Sequence, residues 1–260
     1  MYFLYFGILE NYNFWYKTAL IHCSYKQQFL IKFVQDRTSE WFVPKIGSRN
    51  LRIGVGMLFL PYTCIVTCFA AWGSLGGPFV LDRLFAICVI YFLAVGISAH
   101  CLDAVCGKTK PWGVLPKKKI LAIAIFALCI AFSLGLYYAF LDSPLLFIIG
   151  IVEGFFLFAY NMELFGGKFH NNISTVISWG ILPVFAGSAI QTNSISIETV
   201  LLSIVSASIT YFLITTSRKY KELKKSEADL AKIRSKENIL KLITLFVLVV
   251  TFSFSILVIL

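Results

Sequence analysis

The sequence predicts an all-α membrane protein, built as a polytopic bundle of about seven transmembrane helices. Apolar residues make up 58% of its 260 residues, and mean hydropathy is +0.81, a composition outside the range of ordinary soluble domains. A bilayer core of roughly 30 Å needs about 20 apolar residues per helix. The apolar runs are about that long and lack the alternation of membrane strands. The candidate spans cover about 51–72, 82–102, 119–141, 144–163, 173–191, 196–216 and 239–260.

The chain divides into four parts by composition. Residues 1–50 mix aromatic, apolar and basic side chains, which predicts an amphipathic segment at the cytoplasmic membrane interface. Residues 51–217 form the predicted transmembrane core, and residues 218–238 read as a charged cytoplasmic helix that is a candidate for partner docking. Residues 239–260 are the predicted C-terminal transmembrane helix. Proline and glycine in the first and fifth spans, at Pro61 and Pro183 among others, predict kinks there.

Charge predicts the orientation in the membrane. If the N-terminus is cytoplasmic, only Arg83 of the 23 basic residues falls in an outer loop, as the excess of Lys and Arg in cytoplasmic loops requires. We therefore expect a multi-pass cell-membrane protein with its N-terminus in the cytoplasm and its C-terminus outside. The net charge of +10 is divided among loops, so nucleic acid is not an expected partner.

A ten-residue pattern occurs twice, sixty positions apart, each time where an apolar stretch ends. The copies are residues 99–108 and 159–168, and both read Ala, a ring, any residue, a long apolar residue, a carboxylate, three residues, Gly, Lys. The carboxylates are Asp103 and Glu163. The pattern predicts a tandem helical-hairpin repeat whose two copies meet at one polar site on the cytoplasmic face.

Two carboxylates that face one cavity indicate a hard divalent cation. Mg²⁺ prefers oxygen ligands together with waters or phosphates, so Asp103 and Glu163 are the predicted metal ligands. Lys108 and Lys168 follow them and would neutralise phosphate oxygens. This combination suits a diphosphate headgroup whose lipid tail stays in the bilayer.

Glu153 lies near the middle of the fourth predicted span. A carboxylate at that depth usually faces the interior of the bundle and marks a functional site. Tyr160 is seven residues further on and shares almost the same helix face. We expect Glu153 to point into the cavity whose mouth holds Glu163, as an acid, a base or a substrate anchor.

Two histidines offer a different metal site. His100 and His170, taken with Asp103 and Glu163, make a set of two imidazoles and two carboxylates that suits Fe, Mn or Zn better than Mg²⁺. A metal-dependent membrane oxidoreductase is therefore one alternative hypothesis.

At these residues the chain resembles the UbiA superfamily of intramembrane prenyltransferases. That family carries an Asn-Asp-x-x-Asp-x-x-x-Asp loop and an Asp-x-x-x-Asp loop, which bind prenyl diphosphate through Mg²⁺. The first motif falls on Ala99, His100, Asp103 and Gly107, of which Asp103 keeps its carboxylate. The second falls on Glu163 and Gly167. The similarity covers about residues 51–217, and it implies a helical bundle with a lipid-facing cavity.

The leading hypothesis is a UbiA-like prenyltransferase that acts on an isoprenoid diphosphate. Asp103, Glu163 and Glu153 are its candidate catalytic residues. The candidate substrate-binding residues are His100, Lys108, Tyr160, Asn161, Lys168, His170 and Asn171. The alternative from another class is a non-catalytic lipid-binding membrane subunit or a small transporter, because an intramembrane carboxylate and internal repeats also occur in transporters.

Overall fold

The structure is a computed structural model that describes residues 37–107, 112–226 and 229–260. Within these ranges it contains helices and no strand. The long helices are α1 (Arg49–Met57), α2 (Leu60–Leu75), α3 (Leu81–Cys106), α4 (Lys117–Leu141), α5 (Leu145–Asn161), α6 (Asn172–Thr192), α7 (Ile197–Lys225) and α8 (Leu230–Ile259).

The helices agree with the predicted membrane class. Six helical stretches in the described residues are long and apolar enough to cross a bilayer, with α1 and α2 together counting as the first. The fourth predicted span corresponds to α5, which has 17 residues and stands at the short end of the spanning range. The part of the chain that the structure describes is therefore all-α, with six long apolar helices of membrane-spanning length. The total of seven spans and the orientation of the termini stay predictions.

Helix α2 is the centre of the bundle and packs against α3, α6 and α8. Its contact with α6 is a backbone contact made possible by two glycines. A Cβ on Gly73 would lie 1.9 Å from the carbonyl oxygen of Val184, and a Cβ on Gly187 would lie 2.0 Å from that of Ala70. Small residues allow helix backbones to approach in this way in membranes, where dispersion rather than hydrophobic exclusion drives packing.

The first span is broken, as its proline predicts. Helix α1 ends at Met57 and α2 begins at Leu60, because Phe59 has a left-handed backbone with φ 46°. Pro61 stands in the first turn of α2, where its missing N–H is not needed. The hydroxyl of Thr63 donates to the carbonyl of Leu58 at 2.6 Å, which satisfies a carbonyl that the break leaves without a helical partner.

Two helices contain π-helical turns that the sequence did not predict. Residues Phe92–Ala99 of α3 and Ile177–Ile181 of α6 have this wider winding. The first turn lies just before His100 in α3, and the second lies shortly before Pro183 in α6. Because π-helical turns often occur at functional sites, the space between these two helices is a candidate functional site.

The charged stretch 218–238, predicted as one cytoplasmic helix that extends the sixth span, is divided between two helices. Helix α7 continues through the basic residues to Lys225, and α8 begins at Leu230 and runs on into its apolar part. The carboxylate of Asp229 caps α8 by accepting from the backbone N–H of Ala231 at 3.0 Å. This capping residue starts a new helix, so the charged residues become the ends of two long helices.

At the opposite end of the bundle, Arg83 joins three helices. Its guanidinium forms a salt bridge with Asp142 after α4 and donates to the carbonyl of Ile190 in α6 at 2.7 Å. The hydrogen bond from Arg83 holds the pKa of the Asp142 carboxyl below its usual range. The one basic residue predicted to lie in an outer loop is thus a structural residue.

Substituting Gly187 with Ala tests the α2–α6 contact. We expect Gly187→Ala to lower the free energy of unfolding by at least about 2 kcal/mol, because the new methyl group must displace backbone of α2. SDS-induced unfolding followed by tryptophan fluorescence measures the change. Gly54→Ala is the control: its Cβ meets no atom within 4 Å, so it should be neutral or slightly stabilising. Equal stability of Gly187→Ala and the wild type would contradict the close contact.

Candidate functional site

A polar cavity of about 400 Å³ lies where both copies of the repeated pattern end. The first copy contributes His100 and Asp103 from the end of α3. The second copy contributes residues from the end of α5 and the turn after it. The complete lining is Arg37, Phe59, Tyr62, His100, Asp103, Tyr160, Asn161, Glu163, Gly167, His170, Trp179, Ile214, Ser217 and Lys221. The structure therefore brings the two carboxylates to one cavity, as the pattern predicts.

The two copies nevertheless have different local structures. Helix α3 continues past its carboxylate to Cys106, so Asp103 lies within the last helical turns. Helix α5 ends at Asn161, and Glu163 lies beyond it in the connecting turn. The sequence repeat is thus not a repeat of backbone structure. Asp103 faces the cavity from a helix, whereas Glu163 reaches it from a loop.

Glu163 has a backbone conformation that usually belongs to glycine. Its φ is 49°, and its side chain is buried, with 7% of the residue exposed. The N–H of Leu164 donates to the carbonyl of Ala159 at 3.1 Å, which closes α5 in the manner of a left-handed helix end. A non-glycine residue in this conformation costs about 1–2 kcal/mol. Such strain is concentrated at functional sites in proteins, which favours a role for this carboxylate.

Stacked rings fix the histidines on both sides of the cavity. The ring of His100 lies on that of Phe59, with centroids 4.9 Å apart, and the ring of His170 lies on that of Tyr160 at 4.2 Å. The Nδ1 atom of each histidine is 3.3 Å from a backbone carbonyl oxygen, that of Gly96 or Tyr160. Both imidazoles therefore form part of an aromatic wall with one nitrogen already engaged.

A segment before α1, residues 37–48, passes along the cavity and is called the strap here. Glu40 ties the strap to α7: its carboxylate accepts hydrogen bonds from Tyr220 and Lys224, each at 2.9 Å. Arg52 of α1 donates to the strap carbonyls of Thr38 and Pro44. The strap presents Arg37 to the cavity.

A second, apolar cavity of about 190 Å³ lies deeper among α3, α4, α5 and α6. This chamber contains Glu153, whose Oε1 accepts a hydrogen bond from the hydroxyl of Tyr91 at 2.8 Å. Its lining includes Leu136 and Ile151, which are exposed on the outside of α4 and α5. The chamber therefore opens toward the hydrocarbon between these helices.

The polar cavity and the apolar chamber adjoin each other. Three residues, Tyr160, Asn161 and Trp179, contribute to the lining of both. The carboxamide of Asn161 donates to the carbonyl of Leu157 at 2.8 Å, which holds it against the end of α5. Together the two spaces form one amphipathic site, polar at the ends of the helices and apolar within the bundle.

Two predicted substrate-binding residues, Lys168 and Asn171, do not contribute to this lining. A third, Lys108, lies outside the described residues. Lys168 is exposed, and its carbonyl accepts a hydrogen bond from Asn171 at 2.6 Å. Asn171 begins α6, because its Oδ1 accepts from the backbone N–H of Ser174. A structural capping role accounts for Asn171 without any ligand.

The described residues contain no group of three or more His, Cys, Asp or Glu side chains arranged to hold a metal ion. Two carboxylates, Asp103 and Glu163, line the polar cavity. Mg²⁺ is compatible with such a pair, because it usually keeps several waters and takes substrate phosphate oxygens as further ligands. The residues present fit Mg²⁺ carried with a phosphate ligand better than a site made only of protein ligands.

Sequence reasoning missed seven residues of the cavity wall: Arg37, Phe59, Tyr62, Trp179, Ile214, Ser217 and Lys221. The helical spacing of Ile214, Ser217 and Lys221 places them on one face of α7 and was a usable signal for Lys221. Trp179 lies in a π-helical turn, and Phe59 lies at a helix break. Neither feature produces a periodic pattern in the sequence.

Comparisons of the chain with models of known protein families, with curated proteins and with solved structures give no match.

Removing the Glu40 carboxylate tests how the strap is held. We expect Glu40→Ala to lower the free energy of unfolding by about 3 kcal/mol, because it leaves Lys224 and Tyr220 without their partner in a largely buried place. SDS-induced unfolding measures the loss. Glu222→Ala breaks the exposed pair with Lys219 and should cost about 0.5 kcal/mol or less. Equal losses for the two variants would refute this role of Glu40.

Proposed function

We propose that the protein is an intramembrane prenyltransferase that binds an isoprenoid diphosphate in its amphipathic site, with the mouth of that site toward the cytoplasm. The observation that carries the proposal is the continuity of the polar cavity with the apolar chamber through Tyr160, Asn161 and Trp179. A ligand with a charged head and a long apolar tail satisfies both spaces at once. The resemblance to the UbiA superfamily supports the same class of substrate.

The headgroup fits the polar cavity. Its volume of about 400 Å³ lies within the usual range of small-molecule sites. Asp103 and Glu163 would hold Mg²⁺ against the diphosphate, and the bound ion would neutralise the charge that develops on the leaving group. The rings of His100 and Tyr160 would pack beside the first carbon of the tail. The rest of the tail would leave through the opening between α4 and α5.

The proposed reaction is the transfer of a prenyl group to a nucleophilic acceptor. The bond between the first prenyl carbon and the bridging oxygen breaks, and the diphosphate leaves with the electron pair. The acceptor forms the new bond to that carbon and loses a proton. Glu153 is the candidate proton acceptor, because it lies in the apolar chamber and Tyr91 orients its carboxyl group by a hydrogen bond at 2.8 Å.

One observation favours a second candidate function. Two carboxylates line the polar cavity, and in the described residues neither belongs to a group of three metal-binding side chains. A lipid-binding subunit or a small lipid transporter would need polar groups that contact a headgroup, but no metal site. Incubation of the purified protein with a prenyl diphosphate and candidate acceptors separates the two functions: a covalent product supports the transferase, whereas movement of unaltered lipid between vesicle leaflets supports the alternative.

Amide substitutions test the role of the two carboxylates. We expect Asp103→Asn and Glu163→Gln each to weaken Mg²⁺-dependent binding of farnesyl diphosphate about tenfold or more, because each removes one anionic oxygen ligand. Isothermal titration in detergent, with and without Mg²⁺, measures the affinity. Glu198→Gln, an exposed position at the opposite end of α7, should leave it unchanged. Binding that responds to neither variant nor to Mg²⁺ would contradict the proposed metal site.

A bulky residue in the chamber tests the path of the tail. Gly150 lines the chamber, and a Cβ there would meet no atom within 4 Å. Gly150→Phe should fill the chamber and weaken farnesyl diphosphate binding about tenfold or more, while inorganic pyrophosphate binds as before. Ile148→Phe, on an exposed face of the same helix, is the control. Unchanged binding of farnesyl diphosphate by Gly150→Phe would place the tail elsewhere.

A further inference from the structure

The polar cavity contains two cations that lie outside both copies of the repeated pattern. Lys221 comes from α7 and Arg37 from the strap. On α7, Ile214, Ser217 and Lys221 follow one another at helical spacing and all line the cavity. The cavity-facing side of α7 is therefore apolar at Ile214, carries a hydroxyl at Ser217 and carries an ammonium at Lys221, toward the lysine-rich end of the helix.

The neighbouring lysine on the same helix shows what is unusual about Lys221. Lys224 lies about one turn further on, and its ammonium forms a salt bridge with Glu40 at 2.9 Å. Tyr220 occupies the other oxygen of that carboxylate. Lys221 makes no hydrogen bond or salt bridge in the part of the chain that the structure describes. Glu40 is thus already bound to Tyr220 and Lys224. The ammonium of Lys221 lies at the cavity, whose lining also includes the carboxylates of Asp103 and Glu163.

Arg37 is in a similar position on the facing wall. Its guanidinium lies over the ring of Phe59, with Cζ at 5.3 Å from the ring centroid, and it makes no salt bridge among the described residues. The hydrogen bonds between Glu40 and α7, and between Arg52 and the strap, hold Arg37 in this position. A cation–π contact uses no hydrogen-bond acceptor, so it leaves the N–H donors of Arg37 to a further acceptor.

Charges held in this way favour an anionic ligand. Arg37 and Arg218 act on Lys221 as like charges, whereas Asp103 and Glu40 act on it as opposite charges. A largely buried charge without a partner is costly, and an anion that accepts its hydrogen bonds removes much of that cost. Arginine and lysine together suit a phosphate, since the guanidinium binds two oxygens side by side and the ammonium adds a compact point charge.

We propose that Arg37 and Lys221 form a phosphate site that binds a phosphate monoester or diphosphate directly, without a metal ion. This inference deepens the proposed function, on which it rests only for the identity of the attached tail. The two phosphates of a diphosphate then have different partners. One would be bound through Mg²⁺ held by Asp103 and Glu163, and the other by Arg37 and Lys221 directly.

The test uses the full-length protein in detergent with EDTA, so that no divalent cation contributes. Isothermal titration measures the binding of farnesyl monophosphate and, separately, of inorganic pyrophosphate. We expect the wild type to bind both, and Lys221→Gln and Arg37→Gln each to weaken both affinities about tenfold or more. Lys219→Gln and Lys225→Gln, exposed positions on the same helix, are the matched controls and should change affinity less than about twofold.

Lys221→Arg keeps the charge and separates a loss of binding from a loss of folding. It should retain affinity within about threefold of the wild type, with the same thermal unfolding midpoint. If Lys221→Gln does not fold, a lower affinity at raised ionic strength for the wild type, together with retained binding by Lys221→Arg, still supports the site. Equal affinities of the wild type, Lys221→Gln and Arg37→Gln would overturn it.

The outcomes distinguish this site from the proposed function. Binding of pyrophosphate that depends on Lys221, without binding of any prenyl lipid, supports the phosphate site and refutes the prenyltransferase. Binding of farnesyl diphosphate that depends on Mg²⁺ and Asp103, but not on Lys221 or Arg37, refutes the phosphate site and leaves the prenyltransferase in place. Loss of all phosphate binding from the wild type in EDTA also refutes the phosphate site.

Discussion

The backbone contact between α2 and α6 is the constraint on which the site depends. Gly73 and Gly187 allow the two helices to touch without side chains between them. This approach draws together the start of α2, which carries Tyr62, and the π-helical turn of α6, which carries Trp179. These rings are 6.4 Å apart and form the inner wall of the polar cavity. With larger residues at the glycines, the wall would open and the polar and apolar spaces would lose their common boundary.

The membrane class, the helical spans and the convergence of the two carboxylates follow from features that a sequence displays directly. Apolar runs of spanning length can hardly form anything except helices in a bilayer. Asp103 and Glu163 line one cavity because each lies where an apolar run stops. The orientation relative to the cytoplasm and the relation to the UbiA superfamily are predictions of a different kind, since they depend on the cell and on ancestry rather than on packing.

What the sequence could not indicate arises from contacts between distant segments. The similar spacing around Asp103 and Glu163 suggested equivalent structures, but α5 ends before its carboxylate and α3 does not. Two glycines in succession, Gly166 and Gly167, allow the chain after α5 to turn with positive φ. Glu40 binds Tyr220 and Lys224, which lie about 180 positions further along the chain. Lys221, on the same helix, is left without a salt bridge among the described residues. No local pattern contains that information.

The π-helical turn in α3 has a consequence for how this helix can change. A π-helical turn amounts to one residue more than an α-helix needs over the same length, and each residue of an α-helix turns the chain by about 100°. The wider winding takes up this extra residue, so the part of α3 before Phe92 and the part that carries His100 and Asp103 keep the angular relation of a regular helix that is one residue shorter. Loss of one residue from Phe92–Ala99 would therefore restore ordinary α-helical winding and leave Asp103 facing the cavity. Loss of one residue from an α-helical part of α3 would instead rotate the carboxylate about the helix axis by about 100°. The π-helical segment is thus the part of α3 whose length can change without turning Asp103 away from the cavity.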